Sequence, residues 1–279
     1  MRTTLAVAAD LMREAMKRKW FLGLAIAITA LLVTLGLSLR LDVVDGALAA
    51  TRLFGRVSRG MTIQAVDVAL RPVLEAAAWV IFYGGSIFGI IACADFAPAL
   101  LSPGRIEHLL ALPVRRWELL VGTFLGVLGL SVAAAIYGAG GLTLLLGVKA
   151  GVWTWRPLVA GLLSSVSFAA IYAAMLTVAL WARSAAVSAA IGFLVFVSGI
   201  AAGNRHTLIP MFEPGVGRAI FTGYTMPFPR ISSLGSAAAS IASSQALEVR
   251  SLGSLLLGTL VFGAAVLALG AWRFEQKDF

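Results

Sequence analysis

Six long apolar runs leave this chain few ways to fold. They cover residues 20–39, 76–101, 119–147, 157–181, 187–203 and 252–272. A helix needs roughly 20 apolar residues to cross about 30 Å of hydrocarbon. Lipid offers no partner to backbone N–H and C=O groups, so a spanning segment must satisfy them internally, as a helix or a closed barrel. Barrel strands alternate apolar and polar residues with a period of two, and these runs show no such alternation. The expected class is an all-α membrane protein of six transmembrane helices, a single domain over residues 1–279. A composition 60% hydrophobic and only 13% charged excludes an ordinary soluble domain. Lys17-Arg18-Lys19 abuts a first run too long for the core of a cleavable signal, so that run is expected to stay as a span.

The tryptophans support these boundaries independently of hydropathy. Trp20, Trp79, Trp117, Trp153, Trp155, Trp181 and Trp272 all fall near an expected membrane edge, as amphipathic rings at an interface should. Orientation is harder to read, because the 22 Lys and Arg split evenly, eleven to each side. The positive-inside rule weighs short loops near span ends, however. The short segments 1–19, 102–118, 182–186 and 273–279 are the denser in positive charge. Both termini and residues 102–118 are therefore expected in the cytoplasm. The net charge of +9 then reflects membrane topology, since no basic folded domain is present to bind nucleic acid. The single cysteine, Cys93, lies inside the second run and reads as a packing residue.

Residues 1–19 form an amphipathic pattern. Leu5, Ala8, Ala9, Met12, Ala15 and Met16 share a face opposite Asp10, Arg13, Glu14, Lys17 and Arg18, which predicts a helix lying in the membrane interface. Residues 40–75 are expected outside, with Val43, Val44, Ala47 and Leu48 on a short helix. Residues 204–250 are also expected outside. Pro210, Pro214, Pro227 and Pro229 deny this segment a continuous helix, and its stretches 219–226 and 235–244 suit the outer membrane face.

The sequence holds little catalytic chemistry. It has no G-x-x-x-x-G-K-[ST] loop to cradle ATP phosphates. His108 and His206 fall on opposite sides of the membrane in this topology and cannot share a metal. Asp95 is the only acid within the runs, too few for paired-carboxylate hydrolysis or a proton relay. Two readings of Asp95 stay open, a residue lining a path or gate and an interfacial acid satisfied locally. Gly85-x-x-x-Gly89, Gly122-x-x-x-Gly126 and Gly199-x-x-x-Gly203 permit close helix approach and are expected to pack within the chain. No enzyme activity, cofactor or metal is expected.

The segment 102–118 interrupts this apolar background. Pro103 suits a helix start, Pro113 blocks continuation, and about two turns fit between them. Ile106, Leu109, Leu110 and Val114 share a face, with Arg105, Glu107 and His108 beside it. Such a helix is shaped to dock on a soluble partner; the other reading is a solvated connector.

The stretch Gly104-Arg105-Ile106-Glu107-His108-Leu109-Leu110-Ala111-Leu112-Pro113-Val114-Arg115-Arg116, followed by Val121-Gly122-Thr123-Phe124-Leu125-Gly126, resembles the signature of type-2 permease subunits of ABC exporters. Thr123 stands where that family's G-K-x-x-G stretch has lysine, and Leu100 where many members have glutamate. Tyr224-Thr225-Met226-Pro227 and the charged ending after Trp272 are similar to that family's corresponding segments. The resemblance implies a coupling helix that sits on a separate ABC ATPase, with Arg105, Ile106, Glu107, Leu109, Leu110, Pro113, Arg115 and Arg116 at the interface. It also implies a second copy of the permease, a bacterial inner-membrane location, short external helices in 204–250, and room for an auxiliary membrane or periplasmic subunit. The cargo is not named by the sequence. An ion-coupled carrier and a non-transporting scaffold are the alternatives.

Overall fold

The computed structural model describes residues 2–17, 19–44, 47–53, 56–57, 64–102, 115–245 and 249–276. Its membrane-embedded part is all helical. Among the described residues, five helical stretches are long and apolar enough to cross a bilayer: 71–100, 116–149, 156–182, 185–203 and 250–275. A sixth candidate is the pair α1 (Arg2–Lys17) and α2 (Lys19–Ser38), whose axes meet at 67°. At 1.5 Å per residue α2 is about 30 Å long, the thickness of the hydrocarbon core.

The N-terminal helix α1 divides into three sectors. Thr4, Ala8, Leu11 and Ala15, spaced at three and four residues, are buried against the bundle. Leu5 and Met16, about a quarter-turn away, are 62% and 67% exposed. Asp10, Arg13 and Lys17 occupy the remaining, exposed sector. The single apolar face read from the sequence is thus two faces, one packed on protein and one bare, as suits a helix in the interface.

The seat for α1 is the long helix α6 (Arg116–Ala150). A Cβ on Gly122 would lie 2.8 Å from the Val7 side chain and 3.0 Å from the Thr4 carbonyl. One on Gly126 would lie 3.0 Å from the Ala8 carbonyl. Glycine is required here because backbone faces it. The other two glycine pairs also pack within the chain: Gly89 against Phe168, and Gly199 and Gly203 against Ile231 and Ser232.

Between α2 and the next span the structure differs from expectation. Val43, Val44, Ala47 and Leu48 lie on strands, not on a helix: β1 (Leu39–Val44) pairs antiparallel with β2 (Ala47–Leu53), Val44 opposite Ala47. The two-residue β3 (Arg56–Val57) and β4 (Gln64–Ala65) both pair with β2. Paired β-branched residues followed by Asp45-Gly46 form the hairpin signal, and it outweighs the i, i+4 spacing of four apolar residues.

The second span is built in pieces. Helix α3 (Val66–Trp79) runs into a π-helical turn, Val80–Gly84, then α4 (Gly85–Cys93); after a turn at Ala94 and Asp95 comes α5 (Phe96–Leu100). This span starts earlier than hydropathy suggested, so Trp79 lies about two turns inside it, stacked on Tyr83 at 5.3 Å. Trp153, Trp155, Trp181 and Trp272, by contrast, are exposed near helix ends as expected.

Helix α7 (Arg156–Ala182) forms the centre, 72% buried against 11% for the last span, α12 (Val249–Glu275). It packs against α6, α12 and α8 (Ala185–Gly203). After α8 come the short α9 (Arg205–Leu208), a 3-10 turn at Ile209–Met211, α10 (Val216–Thr225) and α11 (Ile231–Ala242). Helices α10 and α11 both pack beside α8, and α11 also against α7 and α3; the Pro-rich turn 226–230 joins them. Tyr224 and Ser198 share a hydroxyl hydrogen bond of 2.6 Å, and the Ser232 hydroxyl donates to the Ile200 carbonyl at 3.1 Å. This Pro-rich turn therefore lies below the end of α8, within the depth of the bundle.

Candidate functional site

The chain's two ends meet on one face of the bundle. The Thr3 side chain hydrogen-bonds Glu118 in the first turn of α6. Glu118 also accepts the Arg115 backbone N–H at 3.2 Å, the carboxylate half of a capping box. Arg116 Nη1 donates to the Glu275 carbonyl at the end of α12, at 3.4 Å. Arg115 and Arg116, both expected at a partner interface, thus sit where α1, α6 and α12 converge; this is the terminal face. The remaining expected contact residues, Arg105, Ile106, Glu107, Leu109, Leu110 and Pro113, fall in 103–114, outside the described residues. Glu118 was not singled out from sequence, although a glutamate three residues past a helix start is a readable capping signal.

A second feature was not readable at all. Helices α2, α3, α4, α6 and α7 line a half-open cavity of about 780 Å³, and Leu31 and Val80 at its wall are more than half exposed. Its walls are overwhelmingly apolar and rich in small residues such as Ala76, Gly84, Ala134 and Gly138. No charged side chain lines it among the described residues. Four hydroxyls reach its wall and each has an internal partner. Thr34 donates to the Ala30 carbonyl at 2.8 Å, Ser131 to Ser165 Oγ at 3.1 Å, Ser165 to the Gly161 carbonyl at 3.3 Å and Ser164 to the Phe82 carbonyl at 3.2 Å.

The last of these bonds explains how one wall is held. A π-helical turn shifts the hydrogen-bond ladder by one residue, and such turns recur at functional sites. In lipid the displaced carbonyls need partners, which Ser and Thr of neighbouring helices can supply. Ser164 from α7 and Ser86 from α4 both donate to the Phe82 carbonyl, at 3.2 and 2.8 Å. The turn leaves Gly84 with open space where a Cβ would be, although its φ of −62° would admit any residue. Cavity volume here is therefore maintained by glycine.

Toward the terminal face the cavity reaches Phe21, Cys93 and Phe168. Behind Phe168 the buried Tyr172 ring stacks between Phe168 and Phe124 at 5.9 and 6.3 Å. Its hydroxyl has no hydrogen-bond partner among the described residues. Asp95 is exposed at the break between α4 and α5 and is not among the cavity-lining residues. Neither a protein-family model nor a curated protein matches this sequence.

Proposed function

We propose that this chain is the membrane-spanning subunit of an ATP-driven ABC exporter, working with a second copy of itself and a separate ATPase on the cytoplasmic side. One observation carries the reading. Helix α6 runs unbroken for 35 residues from Arg116, where the 104–116 segment ends, to Ala150, and its middle, around Leu130–Leu142, is a wall of the cavity. At 1.5 Å per residue it is about 52 Å long. Force applied at its start is passed along a stiff rod to the cavity.

The mechanism follows from that connection. The chain carries no phosphate-cradling loop, so nucleotide energy must arrive from outside. Closure of an ATPase dimer beneath the terminal face displaces the 104–116 segment and the start of α6. Helix α1, seated on Gly122 and Gly126, moves with it. The spans then exchange between two arrangements, and nucleotide selects between them by binding one more tightly than the other. Apolar walls suit an apolar or amphiphilic cargo.

The test is co-purification from the native host. The wild-type chain should carry with it an ATPase containing a phosphate-binding loop. Leu109→Asp with Leu110→Asp should abolish that association by placing carboxylates in an apolar joint, while membrane insertion survives. A wild-type chain that brings down no such ATPase, or a variant that still does, overturns the proposal.

A further inference from the structure

The π turn gives the second span a choice of register. Such a turn takes up one residue more than an α turn. If it closed into plain α-helix, every residue of α4 would move into the place of the residue after it. The helix would turn by about 100° and advance by about 1.5 Å. The hydrogen bonds at the turn already suit both arrangements. The Gly85 N–H is shared between the Ile81 and Phe82 carbonyls. The Ser164 hydroxyl lies within reach of the same two, at 3.5 and 3.2 Å. The place beside Ser164 is held by Gly85, whose added Cβ would lie 3.4 Å from its Oγ; after the shift it would be held by Gly84, again without a side chain. At the far end, the turn at Ala94 and Asp95 separates α4 from α5, so α5 need not follow.

The composition of α4 also permits the movement. Gly85–Cys93 carries no charged residue. Lipid tails are as apolar as leucine, so exchanging one apolar face for another against lipid changes little. Phe88 and Ala92 now line the cavity, while Ile87 and Ile91 are exposed outside it. A shift of one residue carries Ile87 into the place of Phe88, and Ile91 into that of Ala92.

Two contacts hold the described register. Gly89 lies under Phe168 of α7, where even a Cβ would come within 2.7 Å of the ring. After the shift Phe88 would stand in that place, and the two rings would collide. Ile90 fills the space at Gly192 of α8, its Cγ2 3.0 Å from where a Cβ would be, and the shift would leave only Gly89 there. The shifted register therefore requires the Phe168 ring to withdraw. Ser164 and Phe168 stand one turn apart on α7, so a single helix holds both the displaced carbonyl and the blocked place.

We propose that α4 is a two-position plug in the cavity wall. With α7 close, it sits as described, Phe88 and Ala92 inward. When α7 draws back, the π turn closes and Ile87 and Ile91 face the cavity instead. The device belongs to the chain itself and needs neither an ATPase nor transport, so it stands or falls separately from the exporter reading.

Pulsed EPR tests it on the full-length chain in lipid nanodiscs. Nitroxides are attached at Ile91→Cys on α4 and Leu194→Cys on α8, both exposed, in a Cys93→Ser background. Carried through 100° on a helix about 10–12 Å across, the label on α4 moves by roughly 8 Å. Phe168→Ala removes the blocking ring and should raise a second distance population several-fold over the wild-type chain. If that variant fails to fold, Phe168→Leu makes the same test with a smaller cavity. Deleting Gly84 removes the extra residue, so α3 and α4 keep their places on a continuous α-helix with no second register. In the Phe168→Ala background this deletion should abolish the second population; deleting Val80 does the same from the other end of the turn if the first deletion does not fold. An unchanged single distance in the Phe168 variant, or a second population that survives the deletion, overturns the proposal.

Discussion

Tyr172 is a residue whose hydroxyl has no role in holding the structure. It is 1% exposed, wedged between two aromatic rings, and its hydroxyl has no partner among the described residues. An unsatisfied buried polar group costs about 1–3 kcal/mol, so Tyr172→Phe should stabilise the protein by about 1 kcal/mol. A higher thermal midpoint in detergent is the expected result; a lower one would reveal a partner such as a bound water. Ser164 makes the opposite case, because its hydroxyl serves the Phe82 carbonyl. No sequence pattern separates these two polar residues, which stand eight positions apart on one central helix. What separates them is the depth and register of the facing helix, and those are set only in three dimensions.

At the scale of elements, legibility followed the range of the interaction. The spans were readable because membrane thickness acts on each segment by itself. Helix α1 was readable from its own periodicity, and the glycine pairs from their spacing. The paired strands β1 and β2 carry two competing local signals, apolar spacing at i and i+4 that favours a helix and an Asp-Gly dipeptide in the sequence between them that favours a turn, and the turn chemistry prevails. The π turn and the cavity depend on five helices meeting and have no local signature. The union of α1 with α6 is the element contact most exposed to a single change. In Gly122→Leu the new side chain meets the Thr4 carbonyl and Val7, and backbone cannot swing aside. Overpacking of this kind costs about 1–3 kcal/mol. Limited trypsin digestion should then cut at Arg13 and Lys17 faster than in wild type, with cleavage elsewhere unchanged. Equal rates would mean that α1 is held by other contacts.

For the whole molecule, everything proposed about an ATPase requires the terminal face to lie in the cytoplasm, and the Lys and Arg count alone is tied at eleven to eleven. In a Cys93→Ser background, a cysteine at the exposed Ser236 on α11 should react with a membrane-impermeant thiol reagent in intact cells. A cysteine at Ser102 should react only after the membrane is opened. The reverse pattern would put residues 104–116 where no cytoplasmic ATPase reaches. The seating of α1 also sets an order of events during synthesis. Gly126, on which Ala8 rests, is translated 118 residues after it. At about 5–20 residues per second this is roughly 6–24 s. Through that interval α1 has emerged from the ribosome but has no protein surface to bury its packed stripe against. Its second apolar stripe, with Leu5 and Met16, gives it somewhere to wait. With the terminal face on the cytoplasmic side, as proposed, this stripe would let the membrane surface hold α1 until α6 is inserted, and a change that made the stripe polar is expected to leave α1 in the cytosol before its seat exists.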